Sequence, residues 1–488
     1  MRLEIFANPS ILQVEVLHVA AQNTGRHGLA NKGGIAAELI VNGTTRLSFV
    51  TTHLEAHEGR YATRVSTMNE IFAGTKEKHH DCSLSAHHSF VMGDLNFRSE
   101  HVDREELGEE KHKELVWDIV ERKDWQALYE LDELSRALQS KHCLTGYRTP
   151  DCLFPPTFKV ERSAGHSYVE QRLPSYTDRV LWKSNHKLAT KVQALVYEPI
   201  NSFASSDHKP IRAAFEIELN ASFKLPGKGP RSFLNLMADD GGTQTNEQCH
   251  VFVNDIEFKI NNRDDKNNRI PSPYLCLISD PPECLKVARR SHVKVFVSRV
   301  ATALSLKSSK SDRSNRLGFP RSSTKHQQFA SNLASEEVCA QVATHQSDGS
   351  SIELAGTMLF LTLMDFKPSL PDDTVVGTVA VNLADLMRSC RPTPEIDPRA
   401  KFEETSPHGL RRLFGRLRQH SAAIFRSGRL DCEQPSDSDF LPIESVDIDQ
   451  PLLKNGVEKG TLKCKVEVWW MDSSLCSSSF LLTPPKRR

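Results

Sequence analysis

The stretch FVMGDLNFRSE, residues 90–100, decides the fold class of the N-terminal half of this chain. Its opening run FVM is apolar and predicts a short buried strand. Gly93 permits a turn, and Asp94 and Asn96 follow at the C-terminal end of the strand. Taken alone, the pattern fits either a strand with an Asx-type turn or a strand that carries catalytic groups at its end.

Length and composition narrow the class of protein. A chain of 488 residues predicts two or three domains. Its 62 basic and 62 acidic residues balance, so net charge neither favours nor excludes a nucleic-acid partner. The 11 cysteines are scattered without a C-x-x-C pair, which predicts reduced thiols in a cytoplasmic protein. Apolar runs such as TMLFLTLM are far shorter than the roughly 20 residues that span a bilayer, so any membrane contact is expected at the surface.

Residues 1–218 alternate strand-like and helical patterns. Residues 58–74 and 105–140 have helical spacing of apolar positions. Six runs predict strands: LQVEVLHVA, GIAAELIV, RLSFVTTHL, SFVMGDL, DRVLWKS and IRAAFEIEL. Mixed strands and helices with polar groups at strand ends predict an α/β sandwich.

The pattern changes after a Gly/Ser/Asn-rich linker at residues 219–250. Residues 251–474 carry runs such as CHVFVNDIEFKI and GTLKCKVEVWWMD with little helix between them, which predicts a β-sandwich. Two inserts, near 305–328 and 391–458, are expected to be disordered. Within the second, residues 409–429 alternate apolar anchors with arginines, as an interfacial helix does.

Four clusters in the N-terminal half share one pattern, an apolar run next to an acid, an amide or an imidazole. They contain His53; Asp94, Asn96 and Arg98; Asp178 and Arg179; and Asp207, His208 and Lys209. Hydrolysis of a phosphate ester requires such groups, because charge on the phosphoryl oxygens must be neutralised and a water must be oriented. Carboxylate and amide oxygens suit Mg²⁺. A hydrogen-bonded histidine or a turn explains any one cluster, but chance is a poor explanation for four.

The strings GDLNFR, PPTFK, PSYTDRVLWKS and SSDHKPI, in this order, resemble the motifs of the inositol polyphosphate 5-phosphatases. That family belongs to the endonuclease/exonuclease/phosphatase superfamily, and the resemblance spans residues 1–218. It implies a two-sheet sandwich flanked by helices. It also implies Mg²⁺-dependent removal of the 5-phosphate from a phosphoinositide lipid or an inositol polyphosphate.

The resemblance also implies roles for individual residues. Asp94 is expected to activate water, and His208, steadied by Asp178, is expected to face the phosphate. The implied catalytic set is His53, Asp94, Asn96, Asp178, Asp207 and His208. The implied metal ligands are Asp94, Asn96 and Asp207. The substrate-binding candidates are Lys32, Arg98, Lys159, Arg179 and Lys209, with a bracing role as the alternative for Arg179.

Two departures from the family pattern leave alternatives open. Phe97 and Phe158 stand where family members usually have tyrosine. The family's opening Trp-Asn strand and its metal-binding glutamate have no counterpart in the sequence, so we expect an N-terminally incomplete domain. The alternative function is then a catalytically inactive phosphoinositide- or membrane-binding scaffold. A nuclease or sphingomyelinase of the same superfamily is disfavoured by Lys159 and by PSYTDRVLW.

The β-rich half resembles a C2 domain, with an immunoglobulin-like module as the alternative. Lys367 stands where a calcium ligand is expected and would repel a cation, which favours a calcium-independent domain. The loop aspartates available are Asp264, Asp265, Asp365, Asp372 and Asp373. Basic residues at 286–294 and the 409–429 segment predict contact with an anionic membrane surface. For the 409–429 segment, a helix packed on the sandwich and a calmodulin target are the alternatives.

Overall fold

The computed structural model of the chain describes residues 1–25, 31–76, 80–101, 104–224, 247–261, 273–286, 295–296, 328–332, 338–343, 351–365, 374–389 and 445–472. Several predicted features fall outside these ranges and stay predictions. They are the 409–429 helix, nearly all of the insert near 305–328, and the loop residues Asp264, Asp265, Lys367, Asp372 and Asp373. Within the described residues, no helix is both long and apolar enough to cross a bilayer.

The N-terminal half is built on a five-stranded sheet whose strands lie side by side in chain order. The strands are β1 (Val14–Asn23), β2 (Gly33–Val41), β3 (Thr45–His53), β4 (His88–Asp94) and β5 (Asp178–Ser184). All neighbours are antiparallel except β3 and β4, which are parallel. Helix α1 (Tyr61–Gly74) lies in the crossover between that parallel pair.

A second, two-stranded sheet covers one face of the first. Its strands β6 (Val192–Pro199) and β7 (Ile211–Ile217) pair with each other and place Phe215 against Phe90 and Trp182. Helix α1 packs on the opposite face, where Met68 and Phe72 are fully buried among residues of the strands. The predicted two-sheet sandwich flanked by helices is therefore confirmed.

The stretch at residues 105–140, predicted to be helical, forms four helices. They are α3 (Arg104–Leu107), α4 (Glu109–Glu121), α5 (Trp125–Glu130) and α6 (Glu133–Gln139), and a short α2 (Cys82–Ser85) precedes β4. Two aspartates start new helices: Asp124 accepts from the backbone N–H of Ala127, and Asp132 accepts from that of Ser135. An Asp in this position satisfies amides that would otherwise lack partners at a helix start.

The C-terminal half is almost entirely β-structure, as predicted. Its strands are β8 (Glu247–Asn261), β9 (Pro273–Asp280), β10 (Leu285–Lys286), β11 (Val295–Phe296), β12 (Gln328–Asn332), β13 (Val338–Val342), β14 (Met358–Asp365), β15 (Thr374–Asn382), β16 (Val446–Lys454) and β17 (Val457–Asp472), with one described helix, α7 (Leu383–Ser389). The sheet order is β10-β13-β8-β17-β16-β15-β14-β9-β11, with β12 beside β8. Because β13 also lies against β9 and β11, this sheet curls back on itself around one apolar core.

Two predicted boundaries of this half need correction. Strand β8 begins at Glu247, inside the predicted linker 219–250. Residues 445–458, assigned to the second insert, contain β16 and the start of β17. Residues 391–444 of that insert are outside the described part of the chain.

The two halves pack together at one end of the five-stranded sheet. Arg46, at the start of β3, is 5% exposed and donates from Nε to the carbonyl of Gly356 (2.6 Å). Its other nitrogens donate to the Asp280 carboxylate (2.6 Å) and the Asp280 carbonyl (3.1 Å). An apolar contact adjoins this pair, because Leu84 of α2 packs among residues of β14, β15 and β16.

A buried histidine extends the same interface. His87 accepts a hydrogen bond at Nδ1 from the backbone N–H of Arg46 (2.9 Å), and its Nε2 lies 2.6 Å from the amide nitrogen of Asn382. Asn220, from the predicted linker, lies 3.1 Å from the same Nδ1. Burial lowers the pKa of His87 well below its usual value, so the ring is neutral. The interface is thus closed by hydrogen bonds from three parts of the chain.

Candidate active site

Strand pairing places three of the predicted residues in one row. His53 ends β3 and is paired with Asp94, which ends β4, and Asp94 is paired in turn with Asp178, which begins β5. Because β5 runs antiparallel to β4, its first residue meets the last residue of β4. Neighbouring strands lie about 4.8 Å apart, so the row presents an imidazole and two carboxylates along one edge of the sheet.

Gly93 allows the strand end to take this form. Its φ is +129°, and a Cβ built there would lie 2.1 Å from the carbonyl oxygen of Thr52 on β3. A side chain at this position would therefore force the strands that carry His53 and Asp94 apart. The glycine in the quoted stretch is required by this close backbone approach.

Asp94 is held by its neighbour Asn96. The backbone N–H of Asn96 donates to Asp94 Oδ1 (3.1 Å), and its side-chain amide donates to Asp94 Oδ2 (3.0 Å) and to the Leu54 carbonyl (3.1 Å). Burial raises the pKa of Asp94. The hydrogen bond from His53 and the charges of His208 and Lys32 outweigh that effect and leave the pKa below its ordinary value. Asp94 is therefore an ionised carboxylate in a fixed orientation.

His208 is oriented by Asp178. Nδ1 of His208 lies 2.9 Å from Oδ2 of Asp178, which also accepts from the hydroxyls of Thr157 (2.8 Å) and Thr177 (2.9 Å). Burial lowers the pKa of His208, but the hydrogen bond and charge of Asp178, with Asp94 and Asp207, raise it above its usual value overall. Asp178 therefore favours the protonated form of the ring and leaves Nε2 to serve a ligand.

Lys32 and Asp94 compete for the same nitrogen of His53. Nε2 lies 2.6 Å from Lys32 Nζ and 3.2 Å from Asp94 Oδ2. An ammonium can only donate a hydrogen bond and a carboxylate can only accept one. Nε2 of His53 therefore cannot satisfy Lys32 and Asp94 at the same time. Burial lowers the pKa of Lys32, while Asp94 and Glu55 partly offset that effect. A phosphate at this edge would supply acceptors for both Lys32 and His53.

Lys159 and Asp207 stand beside the row. Lys159 Nζ lies 3.7 Å from Asp207 Oδ2, and both side chains are about one-third exposed. The ring of Phe158 lies between the guanidinium of Arg98 and the imidazole of His208, with both separations 4.6 Å. Lys159 is therefore placed to contact a ligand from the solvent side, while Phe158 packs behind His208.

Three predicted substrate-binding residues are buried and have protein partners, so a substrate-binding role for them stays a prediction; for Arg179 the arrangement fits the bracing alternative. Arg98 is 4% exposed and donates to the amide oxygen of Asn96. Arg179 is 1% exposed and pairs with Asp132 (2.8 Å). Lys209 is fully buried and donates to the carbonyls of residues 163 and 203 (both 2.6 Å). Their charges serve protein groups, so they brace the site and the loops around it.

The predicted set of metal ligands also differs from the observed arrangement. Among the described residues, the group with cation-binding geometry is Asp94, Asp178 and His208, whose ligand atoms all lie within 4.8 Å of one another. Asp207 is outside that group, and the amide oxygen of Asn96 accepts from Arg98. The two carboxylates offer oxygen ligands, which fits a divalent cation that keeps most of its waters.

Sequence reasoning missed the residues behind the row. Thr157 and Thr177 fix Asp178, and Glu133 accepts from the backbone N–H of Arg98 (2.8 Å) and from Arg64 (2.5 Å). The two threonines lie within the quoted strings PPTFK and PSYTD, which was the available signal. Nothing in the sequence near Glu133 points to the site.

The family model described as Endonuclease/Exonuclease/phosphatase family 2 matches residues 2–214. Residues 2–214 are therefore similar to this family over nearly the whole N-terminal half. The matched segment contains the whole row of site residues and both sheets of the sandwich up to β7. The predicted fold class of the N-terminal half is therefore confirmed.

Curated relatives of this family are similar to the chain at modest identity. The phosphatidylinositol 3,4,5-trisphosphate 5-phosphatase 2B of Danio rerio is 27% identical over 273 residues, which cover 52% of this chain and 21% of that protein. The inositol polyphosphate 5-phosphatase K of Mus musculus is 25% identical over 263 residues, which cover 50% of this chain and 53% of that protein. The chain thus spans between about a fifth and a half of these relatives. The resemblance to inositol polyphosphate 5-phosphatases drawn from the motifs is confirmed.

A solved structure in the same group is the inositol polyphosphate 5-phosphatase domain of SPsynaptojanin, in complex with inositol (1,4)-bisphosphate and a calcium ion. It is 23% identical, with a TM-score of 0.34, and the match covers 43% of this chain and 56% of that one.

Proposed function

We propose that this chain is a divalent-cation-dependent phosphatase that removes the 5-phosphate from a phosphoinositide. The observation that carries the proposal is the row of His53, Asp94 and Asp178, with His208 held against Asp178. The similarity of the N-terminal half to 5-phosphatases supports the choice of substrate class.

Each group in the row has a task in phosphate hydrolysis. Asp94, ionised and held by Asn96, orients an attacking water and accepts its proton. His208, kept protonated by Asp178, donates from Nε2 to a phosphoryl oxygen as charge develops on it. Lys32 and His53 approach the phosphate from the side of β3, and Lys159 approaches from the solvent side.

A cation of the Mg²⁺ type would be held by Asp94 and Asp178. When bound, it would neutralise charge on the phosphoryl oxygens. Because Oδ2 of Asp178 is already occupied by His208 and two threonines, its other oxygen, Oδ1, is the one available for the cation. The choice of Mg²⁺ over Ca²⁺ rests on the small number of protein ligands, since Ca²⁺ prefers six to eight oxygens.

We also propose that the enzyme works at the cytoplasmic surface of membranes. The presumed substrate is a lipid headgroup, and the sequence predicts basic segments in the C-terminal half that suit anionic lipid. The proposed C2-like, calcium-independent character of that half belongs to the same hypothesis. The β-rich half packs at the opposite end of the five-stranded sheet. Its described residues therefore do not cover the edge that carries His53 and Asp94.

Phosphate release from a 5-phosphorylated phosphoinositide in vesicles tests the proposal. We expect Asp94→Asn and His208→Ala each to lower kcat/KM by about 10²- to 10⁴-fold, the usual range for a general acid or base. Asp118→Asn, which alters an exposed ion pair with Arg122 on α4, is the matched control and should leave the rate unchanged. Equal release by the parent and both site variants would contradict the proposal.

Two further measurements distinguish the phosphatase from the inactive scaffold and the lipid substrate from a soluble one. Removal of divalent cations should abolish release, and Mg²⁺ should restore it. A soluble inositol polyphosphate compared with the lipid substrate distinguishes the two substrate sources. If the parent binds phosphoinositide vesicles but releases no phosphate with any cation, the inactive scaffold is the correct reading.

A further inference from the structure

A cavity of about 130 Å³, partly open to solvent, lies between the two halves, away from the proposed active site. From the first half it is lined by Thr145 and by Lys183 to His186 at the end of β5. From the second half it is lined by residues of β15 and β16. Lys183 stands five residues after Asp178 on β5, so at about 3.3 Å per residue it is roughly 17 Å from the row.

Three residues around this cavity carry buried polar atoms without a hydrogen-bond partner among the described residues. They are Lys183 Nζ, Thr145 Oγ1 and His186 Nε2. Lys183 is 7% exposed and Thr145 is 4% exposed, so both are more than nine-tenths buried. An unsatisfied buried polar group destabilises a protein unless something fills its place, and three around one cavity indicate an occupant.

The chemistry of the lining indicates the charge of that occupant. Lys183 supplies a cation, Thr145 a hydroxyl, and His186 a ring nitrogen that can donate in one tautomer. None of the described residues lining the cavity is acidic, and Lys183 Nζ has no hydrogen-bond partner within the described chain. Its ammonium lies 5.9 Å from the centroid of the Tyr147 ring, at the outer limit of a cation–π contact.

Water alone would leave the lysine charge buried and unneutralised. Burial lowers the pKa of Lys183 to about 8, and the charge of Asp81 offsets this only in part. The amine is therefore still mostly protonated at neutral pH, at a free-energy cost that an anion would offset. The volume of the cavity corresponds to about four water molecules. It suits one small oxyanion and is too small for a lipid headgroup.

We propose that this cavity binds a small oxyanion, of the size of phosphate or a short carboxylate, between the two halves of the chain. Lys183 neutralises the anion, and Thr145 and His186 donate hydrogen bonds to it. Because β15 and β16 form the other wall, the anion holds the two halves together. The site is separate from the row of His53, Asp94 and Asp178, and its existence does not depend on the proposed phosphatase activity.

Calorimetric titration of the full chain with inorganic phosphate, at ionic strength fixed with chloride, tests the proposal. Lys183→Met should weaken one binding component by about tenfold or more, since a charged hydrogen bond is lost. Lys187→Met, an exposed lysine outside the lining, is the matched control and should bind as the parent does. Lys159→Met marks any phosphate bound at the proposed active site and should leave the Lys183-dependent component intact.

Stability measurements give a second readout with a definite sign. Without phosphate, Lys183→Met should be at least as stable as the parent, because a buried charge is removed. Phosphate should raise the unfolding temperature of the parent and of Lys187→Met, but not that of Lys183→Met. The proposal is overturned if phosphate does not bind the parent, if Lys183→Met binds it within twofold of the parent, or if Lys183→Met is the less stable protein without phosphate.

Discussion

Replacing Arg46 by methionine should lower the free energy of unfolding by weakening the interface between the two halves of the chain. The guanidinium donates three hydrogen bonds across the interface, one to Gly356 and two to Asp280. Methionine keeps most of the apolar stem, so the change mainly removes charge and donors. Breaking a buried ion pair costs about 3–5 kcal/mol. The Asp280 side chain is 26% exposed and can be partly hydrated, which places the expected loss at the lower end, about 3 kcal/mol.

Urea unfolding followed by circular dichroism measures this loss, provided that the slope of the unfolding free energy against urea concentration is the same in the parent and the variant. Arg212→Met is the matched control, since Arg212 pairs with Glu198 at an exposed site on the β6–β7 hairpin. That change should alter stability by about 0.5 kcal/mol or less. The double variant with Asp280→Asn should lose less than the sum of the single losses. A loss below about 1 kcal/mol for Arg46→Met would show that the reasoning on this interface is wrong.

Four further outcomes follow from the geometry. Gly93→Ala should destabilise the protein by about 2 kcal/mol or more in urea, because its Cβ would meet the Thr52 carbonyl at 2.1 Å; a neutral effect would contradict the proposed close approach. Asp178→Asn should lower the pKa of His208, measured by NMR, because the hydrogen bond and charge that raise it are lost; an unchanged or higher value would refute this. For the parent, the stability that comes from the raised pKa of His208 should be fully present below about pH 6.5. It should be lost as the pH rises through the pKa of His208 in the folded protein. Asp178→Asn should weaken this pH dependence. Leu361→Ala, in the fully buried centre of β14, should cost about 2–5 kcal/mol in calorimetry, and a loss below 1 kcal/mol would contradict its place in the core.

Most strands that bury one face or both were predicted from the sequence, but β16, which buries Val446, Ile448 and Leu452, was assigned to the second insert. Strand β5 was predicted with the observed bounds, since DRVLWKS has β-branched and aromatic residues between polar ends. Strand β6 was missed because its burial is shallow: Leu195 is 56% exposed, so apolar periodicity gave a weak signal. The starts of α5 and α6 depend on capping by Asp124 and Asp132, and the apolar pattern of residues 105–140 did not reveal these breaks.

The sequence predicted which residues form the site better than it predicted where their side chains point. The motifs located His53, Asp94, Asp178 and His208, and strand pairing brings the first three into one row. The direction of a long side chain is set by distant partners. Arg179 is buried by Asp132, which lies 47 positions away in the chain and outside every motif. Spacing alone therefore could not separate a brace from a ligand-binding residue.

Contacts between the halves were beyond sequence reasoning for the same reason. Arg46 and Asp280 are 234 positions apart, and each is an ordinary polar residue at the end of a strand. Their partnership depends on how two separately folded sheets meet, which local patterns do not encode.

The row of His53, Asp94 and Asp178 belongs to the hydrogen-bonded backbone of the sheet, whereas Lys159 comes from an irregular segment. Under the proposed function, three of the reacting groups stand on regular strands, whereas His208 and Lys159 stand on irregular segments. Changes in the irregular segment around Lys159 should then alter which headgroup is accepted without displacing His53, Asp94 or Asp178. A graft of that segment from a 5-phosphatase is accordingly a more promising route to altered selectivity than any change along the strands.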